Sequence, residues 1–289
     1  MCNQGKCVKI NFKKEYIIFS KCCALENKDI VYKLPYEEFQ LDYDYLMEVA
    51  NRIPQNFKTI LRSEDCDGDC SDCFQNQKIE SVAISLENCN LDCIMCGCNR
   101  TNPGKFQTEC FYNTFEILKK HNIGVDLNLN GELFLQKEKA FKILSSIEKD
   151  DFRYIHIITN GTLLSSADIV KLQLISKKVD LILTFSIDSF NPETYMQIRR
   201  NSTVSMFTNV IKNVKLSKKI GIYTDINVTL VDINSTKKEL DDMVNFSKKY
   251  NFKLNVIIAD TWEEKYHYLF NDANVKEFIQ KMNVDYRIV

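Results

Sequence analysis

The chain has 289 residues, 45% of them hydrophobic, and a formal net charge of −1. That content suits one large α/β domain, or a medium domain with a small one, and excludes wholesale disorder. The balanced charge argues against a nucleic-acid or anionic-membrane partner, and no apolar run approaches the ~20 residues of a membrane span.

The N-terminus lacks the apolar stretch of a secretory signal, so the chain is expected to be cytoplasmic, with its thiols reduced. Residues 8–12 alternate apolar and polar, and 16–19 are a short apolar run. Lys13-Lys14-Glu15 lies between them, so the pair reads as a hairpin. Cys22 and Cys23 follow its second strand, and 44–51 has helical spacing (Tyr45, Leu46, Val49). A polar loop then carries Cys66, Cys70 and Cys73, followed by the polar linker Gln75-Asn76-Gln77-Lys78. Seven of the twelve cysteines lie in the first 77 residues and none beyond Cys110. This shift in cysteine density divides the chain into residues 1–77 and 78–289.

From Ser81 onward, short apolar strands alternate with amphipathic helices. The expected strands are 82–86, 125–130, 154–159, 181–187, 223–230 and 254–258. The expected helices are 111–121, 137–149, 165–177, 206–218 and 236–250, the last with Ser235 as N-cap. A helix between each pair of strands implies an α/β fold with parallel strands. A doubly wound sheet and an incomplete TIM-like barrel both satisfy the pattern.

Clustered thiols in a reducing compartment point to metal. Cys89, Cys93 and Cys96 share a C-x3-C-x2-C loop just after the first of these strands, where α/β proteins place their sites. Three thiolates can hold three corners of an iron-sulfur cube and leave one iron open, whereas most such clusters take four cysteines. A four-thiolate zinc site is the alternative for such spacing. Cys98 is one residue beyond Cys96 and reads as a bystander, and Cys110 as a core residue of a helix.

Here the sequence resembles the radical S-adenosylmethionine (SAM) superfamily. The C-x3-C-x2-C loop matches its signature, and Asn130-Gly131-Glu132 is similar to its Gly-Gly-Glu motif. Thr159-Asn160-Gly161 and the block Ser186-Ile187-Asp188, Tyr195, Ile198-Arg199 fit further family patterns, each at a strand end. The chain departs from the family at Asn130, at Met95 before the last cluster cysteine, and at Arg200 after the arginine. The resemblance implies a partial (β/α)6 TIM-like barrel in 78–289. It implies a [4Fe-4S] cluster on Cys89, Cys93 and Cys96 as the catalytic centre. It also implies SAM held by Asn130, Gly131, Glu132, Asn160, Ser186, Asp188 and Arg199, with Arg199 at the SAM carboxylate.

Residues 1–77 are similar to a twitch or SPASM domain, which usually follows the barrel and here precedes it. That likeness implies an auxiliary [4Fe-4S] cluster on Cys7, Cys22, Cys70 and Cys73, with Cys2, Cys23 and Cys66 in reserve. The same four thiolates would suit a zinc knuckle. By resemblance, the reaction is reductive SAM cleavage to a 5′-deoxyadenosyl radical. That radical takes hydrogen from a peptide or a small sugar or nucleotide metabolite. A low-potential donor such as flavodoxin or ferredoxin would supply the electron. The contrasting reading is a non-catalytic iron-sulfur or zinc protein with a structural or electron-transfer role.

Overall fold

The computed structural model describes residues 6–21, 32–51, 79–98, 104–128, 130–259, 268–269, 271–282 and 287–288. In chain order the first elements are β1 (Lys6–Phe12), β2 (Tyr16–Lys21), β3 (Tyr32–Pro35), α1 (Tyr43–Asn51), β4 (Ile79–Leu86), β5 (Asp92–Cys93) and α2 (Gly104–Ile117). Then come β6 (Gly124–Leu127), α3 (Lys137–Ser145), β7 (Tyr154–Thr159), α4 (Ser166–Ile175), β8 (Leu181–Ser186), α5 (Pro192–Ile198) and β9 (Arg199–Arg200). The last are α6 (Val204–Lys219), β10 (Tyr223–Leu230), α7 (Lys237–Tyr250), β11 (Leu254–Ile258), α8 (Ala273–Met282) and β12 (Arg287–Ile288).

The described elements fall into two units. The first comprises Met1–Asn88, Cys98–Ile157 and Lys177–Leu181. Its strands lie in the order β7, β6, β4, β1, β2, β3. The expected hairpin is present: β1 and β2 pair antiparallel, with the Lys13 N–H donating to the Tyr16 carbonyl at 3.1 Å. β1 also runs parallel to β4 along its length. The described strands before residue 77 therefore share a sheet with β4. The expected boundary at 77/78 lies outside the described residues, as do Cys2, Cys22, Cys23, Cys66, Cys70 and Cys73. Of the auxiliary set only Cys7 falls in a described element, in β1 opposite Ser81.

Both faces of this sheet are covered, since Lys9 and Asn11 of β1 and Ala83 and Ser85 of β4 are buried as well as the apolar set. Val8, Ile10 and Phe12 of β1 and Val82, Ile84 and Leu86 of β4 are buried. Phe111 of α2 packs edge-on against Phe12, ring centres 6.2 Å apart. Burying each such aromatic or branched side chain contributes roughly 1.5–3 kcal/mol. The strand after α2 ends at Leu127, short of the expected 130. Asn128 adopts φ 62°, a conformation that breaks a strand, and its side chain accepts from the Leu86 N–H at 3.0 Å.

The second unit comprises Cys89–Gly97, Ile158–Ser176 and Ile182–Val289. Its strands β8, β10, β11 and β12 are parallel and lie in that order. In the first unit the strand order reverses between β1 and β4, whereas β4, β6 and β7, like β8, β10, β11 and β12 of the second, follow chain order. α4 opens with a capping box between Ser165 and Asp168. α7 is capped by Thr236, which accepts from the Glu239 N–H, and not by Ser235 as the sequence suggested. Gly161 sits at φ 72°, and a Cβ there would lie 2.7 Å from the Phe185 ring. The short elements α5, α8, β5, β9 and β12 are additions to the sequence reading.

Gly131 forms a close-packed turn in the first unit. Its φ is 100°, and a Cβ would lie 2.4 Å from the Leu86 carbonyl oxygen and 2.8 Å from that of Asn88. Backbone atoms cannot swing aside as a side chain can. Gly131→Ala should therefore cost at least ~2 kcal/mol, read as a lower urea midpoint. An unshifted midpoint would show that this turn relaxes freely.

Candidate active site

Cys89, Cys93 and Cys96 lie on one loop of the second unit, held by backbone pairing from a distant segment. The two residues of β5 pair antiparallel with β9, so that Asp92 faces Arg200 and Cys93 faces Arg199. The Ile94 N–H donates to the Ile198 carbonyl at 3.0 Å, and the Cys96 N–H to the Cys93 carbonyl at 3.1 Å. Leu91 and Met95 are buried beneath the loop, while Cys89 and Cys93 are half-buried and Cys96 is exposed. The loop thus turns its apolar residues inward and leaves three thiols at or near its surface.

Two of the thiols have polar neighbours. The Cys89 sulfur accepts from the Leu91 N–H at 3.4 Å and from Asn160 Nδ2 at 3.7 Å. Asn160 is itself tied into a small network. Its Nδ2 also donates to Asn90 Oδ1 at 3.0 Å, and Thr162 donates to Asn160 Oδ1 from its N–H (2.9 Å) and its hydroxyl (2.6 Å). Asn90 Nδ2 completes the triangle with Thr162 Oγ1 at 2.9 Å. On the other side, Nη1 of Arg199 lies 4.0 Å from the Cys93 sulfur. Burial pushes the Cys93 thiol up to about 12, against the opposing pull of Arg199.

Arg199 and Asp188 form a buried ion pair, Nη2 to Oδ2 at 2.8 Å, with the carboxylate fully shielded from solvent. Burial raises the Asp188 carboxyl above its ordinary value, and Arg199 and the Thr229 N–H offset this only in part. Burial would lower Arg199, but Asp188 together with Cys93, Tyr195 and Cys89 outweighs it and holds the guanidinium charged. A buried pair survives only with further hydrogen bonds. Here Asp188 Oδ1 accepts from the Thr229 N–H at 2.8 Å. Asn234 Nδ2 donates to the Asp188 carbonyl at 2.6 Å and to that of Thr229 at 2.9 Å. Nε of Arg199 is buried without a hydrogen-bond partner among the described residues.

The next turn is braced by Glu239 at the start of α7. It accepts from the Ser189 hydroxyl at 2.6 Å and from the Thr194 hydroxyl at 2.7 Å. α5 is capped by Asn191. Ser186 ends β8 opposite Asn227 of β10. Asn130, Gly131 and Glu132 belong to the first unit. The Glu132 N–H donates to the Asn88 carbonyl at 2.7 Å, and the buried Glu132 carboxylate accepts from the Phe134 N–H at 3.0 Å.

Of the expected site residues in the second unit, the structure thus brings together Cys89 with Asn160, and Cys93 with Arg199 and Asp188. Cys98 and Cys110 are buried, the latter on α2. Sequence reasoning missed Asn90, Thr162, Thr229, Asn234 and Glu239. Asn90 and Thr162 lie next to residues already singled out, which was the available signal. Asn234 and Glu239 carried none. Among the described residues, no three or more His, Cys, Asp or Glu side chains are arranged to hold a single metal ion.

Residues 83–247 match the Radical SAM superfamily. The probable GTP 3′,8-cyclase of Methanocaldococcus jannaschii is 25% identical over 213 residues, covering 71% of this chain and 67% of that protein. The GTP 3′,8-cyclase of Thermodesulfovibrio yellowstonii is 28% identical over 197 residues, covering 63% of this chain and 56% of its own length. Streptococcus suis SuiB bound to its precursor peptide SuiA matches in structure with a TM-score of 0.55 at 14% identity. That match covers 98% of this chain and 71% of SuiB, a likeness of fold.

Asn234 is fully buried, and its side chain makes three hydrogen bonds, the third accepted from the Val231 N–H at 2.7 Å. Asn234→Ala leaves buried partners unmatched and should cost about 3 kcal/mol. The urea midpoint of the metal-free protein measures it. A loss below ~1 kcal/mol would mean that water replaces the amide without penalty.

Proposed function

Because the chain belongs to the radical SAM superfamily and is an enzyme of that type, we propose that it cleaves SAM reductively at a [4Fe-4S] cluster held by Cys89, Cys93 and Cys96. The observation that carries this reading is the three-thiol loop clamped beside Arg199, with donors to the Cys89 and Cys93 sulfurs. Three thiols, with a buried cation beside one of them, fit an anionic cluster that keeps one iron open. When bound, the cluster supplies one electron to SAM and so yields a 5′-deoxyadenosyl radical, which removes hydrogen from substrate.

The chain's own groups do the holding. Arg199 offers a buried N–H without an acceptor among the described residues, which suits the SAM carboxylate. Asp188 keeps Arg199 charged and aimed, and Asn160 orients the Cys89 corner. Ser186 and the Asn130-Gly131-Glu132 segment are assigned to SAM on their sequence patterns. On the same basis, residues 78–289 are read as a radical SAM core of the partial-barrel type. Residues 1–77 form a twitch-like domain with an auxiliary [4Fe-4S] cluster on Cys7, Cys22, Cys70 and Cys73. A flavodoxin or ferredoxin supplies the electron.

We read the substrate as a small nucleotide-like metabolite. The relatives named GTP 3′,8-cyclase support this. Incubation with GTP, SAM and dithionite should consume GTP in step with 5′-deoxyadenosine. SAM cleavage unchanged by GTP would sink the nucleotide reading.

Replacing Cys89, Cys93 and Cys96 together with Ala should abolish 5′-deoxyadenosine formation under dithionite. Undiminished formation would place the chemistry elsewhere. Replacing Cys70 and Cys73 should remove roughly four irons of about eight and leave uncoupled SAM cleavage. Full iron content after anaerobic reconstitution would exclude these two as ligands.

A further inference from the structure

We infer that the buried Asp188–Arg199 pair sets the reduction potential of the cluster on Cys89, Cys93 and Cys96, apart from any contact with SAM. The inference rests on the reading of that loop as the cluster site. Arg199 faces Cys93 across the two-residue ribbon, so the backbone fixes the spacing of the two residues, and the ion pair with Asp188 holds the guanidinium beside the sulfur. Nη1 lies 4.0 Å from Sγ, and Nη2 lies 2.8 Å from Asp188 Oδ2. Both side chains are buried, so water screens neither charge.

The environments of two sulfurs differ in kind. Cys89 receives neutral donors, the Leu91 N–H and the Asn160 amide. Cys93 has a full positive charge beside it. Reduction adds one negative charge to a cluster, and a nearby cation stabilises the reduced form and raises the potential. Asp188 opposes this. It leaves the sulfur facing the positive end of a neutral pair rather than an isolated cation. The carboxylate therefore holds the potential low, as reductive cleavage requires, while the guanidinium remains in place.

The signs give the test. The full-length protein is reconstituted anaerobically without SAM, and its clusters are titrated potentiometrically by electron paramagnetic resonance. The loop's signal is identified as the one lost in the Cys89, Cys93, Cys96 triple Ala variant. Asp188→Asn should shift that midpoint upward, and Arg199→Gln should shift it downward. Arg199→Lys, which keeps the charge, should restore most of the difference. A role confined to packing would move stability but not produce opposite shifts. If Arg199→Gln fails to fold, the Asp188→Asn shift decides alone, because Asn keeps the shape of Asp and an oxygen for the Thr229 N–H. A midpoint unmoved or lowered in Asp188→Asn overturns the inference while leaving the cluster assignment standing. Absence of any signal lost in the triple variant overturns the cluster assignment and the inference with it.

Discussion

The pairing of Cys93 with Arg199 across β5 and β9 is the constraint on which the second unit's site depends. A ribbon of two residues is too short to be stable on its own. It persists because both of its flanks are anchored in the core. Leu91 and Met95 are buried on one side, and Tyr195 and Ile198 on the other. The Ile94 to Ile198 hydrogen bond extends the pairing by one step. Strand pairing fixes the separation of the two backbones, so the cysteine and the arginine are held together by main chain rather than by side-chain choice.

From that clamp the order spreads outward through polar groups bonded to partners on several different elements. Arg199 reaches Asp188 at the end of β8, Asp188 reaches Thr229 at the end of β10, and Asn234 ties both to the turn that leads into α7. Glu239 on α7 then closes back on Ser189 and Thr194. Buried polar networks of this kind are costly when incomplete and specify one arrangement when complete. The result is a rigid mount that holds a buried cation next to a thiol without help from a flexible surface loop.

How much of this the sequence carried follows from the range of each interaction. Strands 154–159, 223–230 and 254–258 emerge at their observed bounds because each is a short segment rich in apolar and β-branched residues between helix-patterned stretches. The cysteine loop was legible because its spacing is local. β5 and β9 were not, since their pairing joins segments about a hundred residues apart and each is only two residues long. The early end of β6 was hidden for a different reason. Asn128 reads as a continuation of the strand until its left-handed backbone and its bond to Leu86 are seen. Ser235 and Thr236 are equivalent as caps by composition, and only the bond to Glu239 separates them.

Arg199 shows where residue type alone misleads. A lone arginine after an amphipathic turn reads most simply as a surface charge, and the family pattern reads it as a ligand for a carboxylate. Its surroundings support a further role. One nitrogen is committed to Asp188, another faces Cys93, and a third is left without a partner among the described residues. A guanidinium can do this because its donors point in fixed, separate directions, whereas an ammonium is a single point of charge. The planar fork lets one residue address the carboxylate behind it and the sulfur beside it at once, with a donor still to spare. That geometry explains why a charge is kept buried here despite the desolvation it costs.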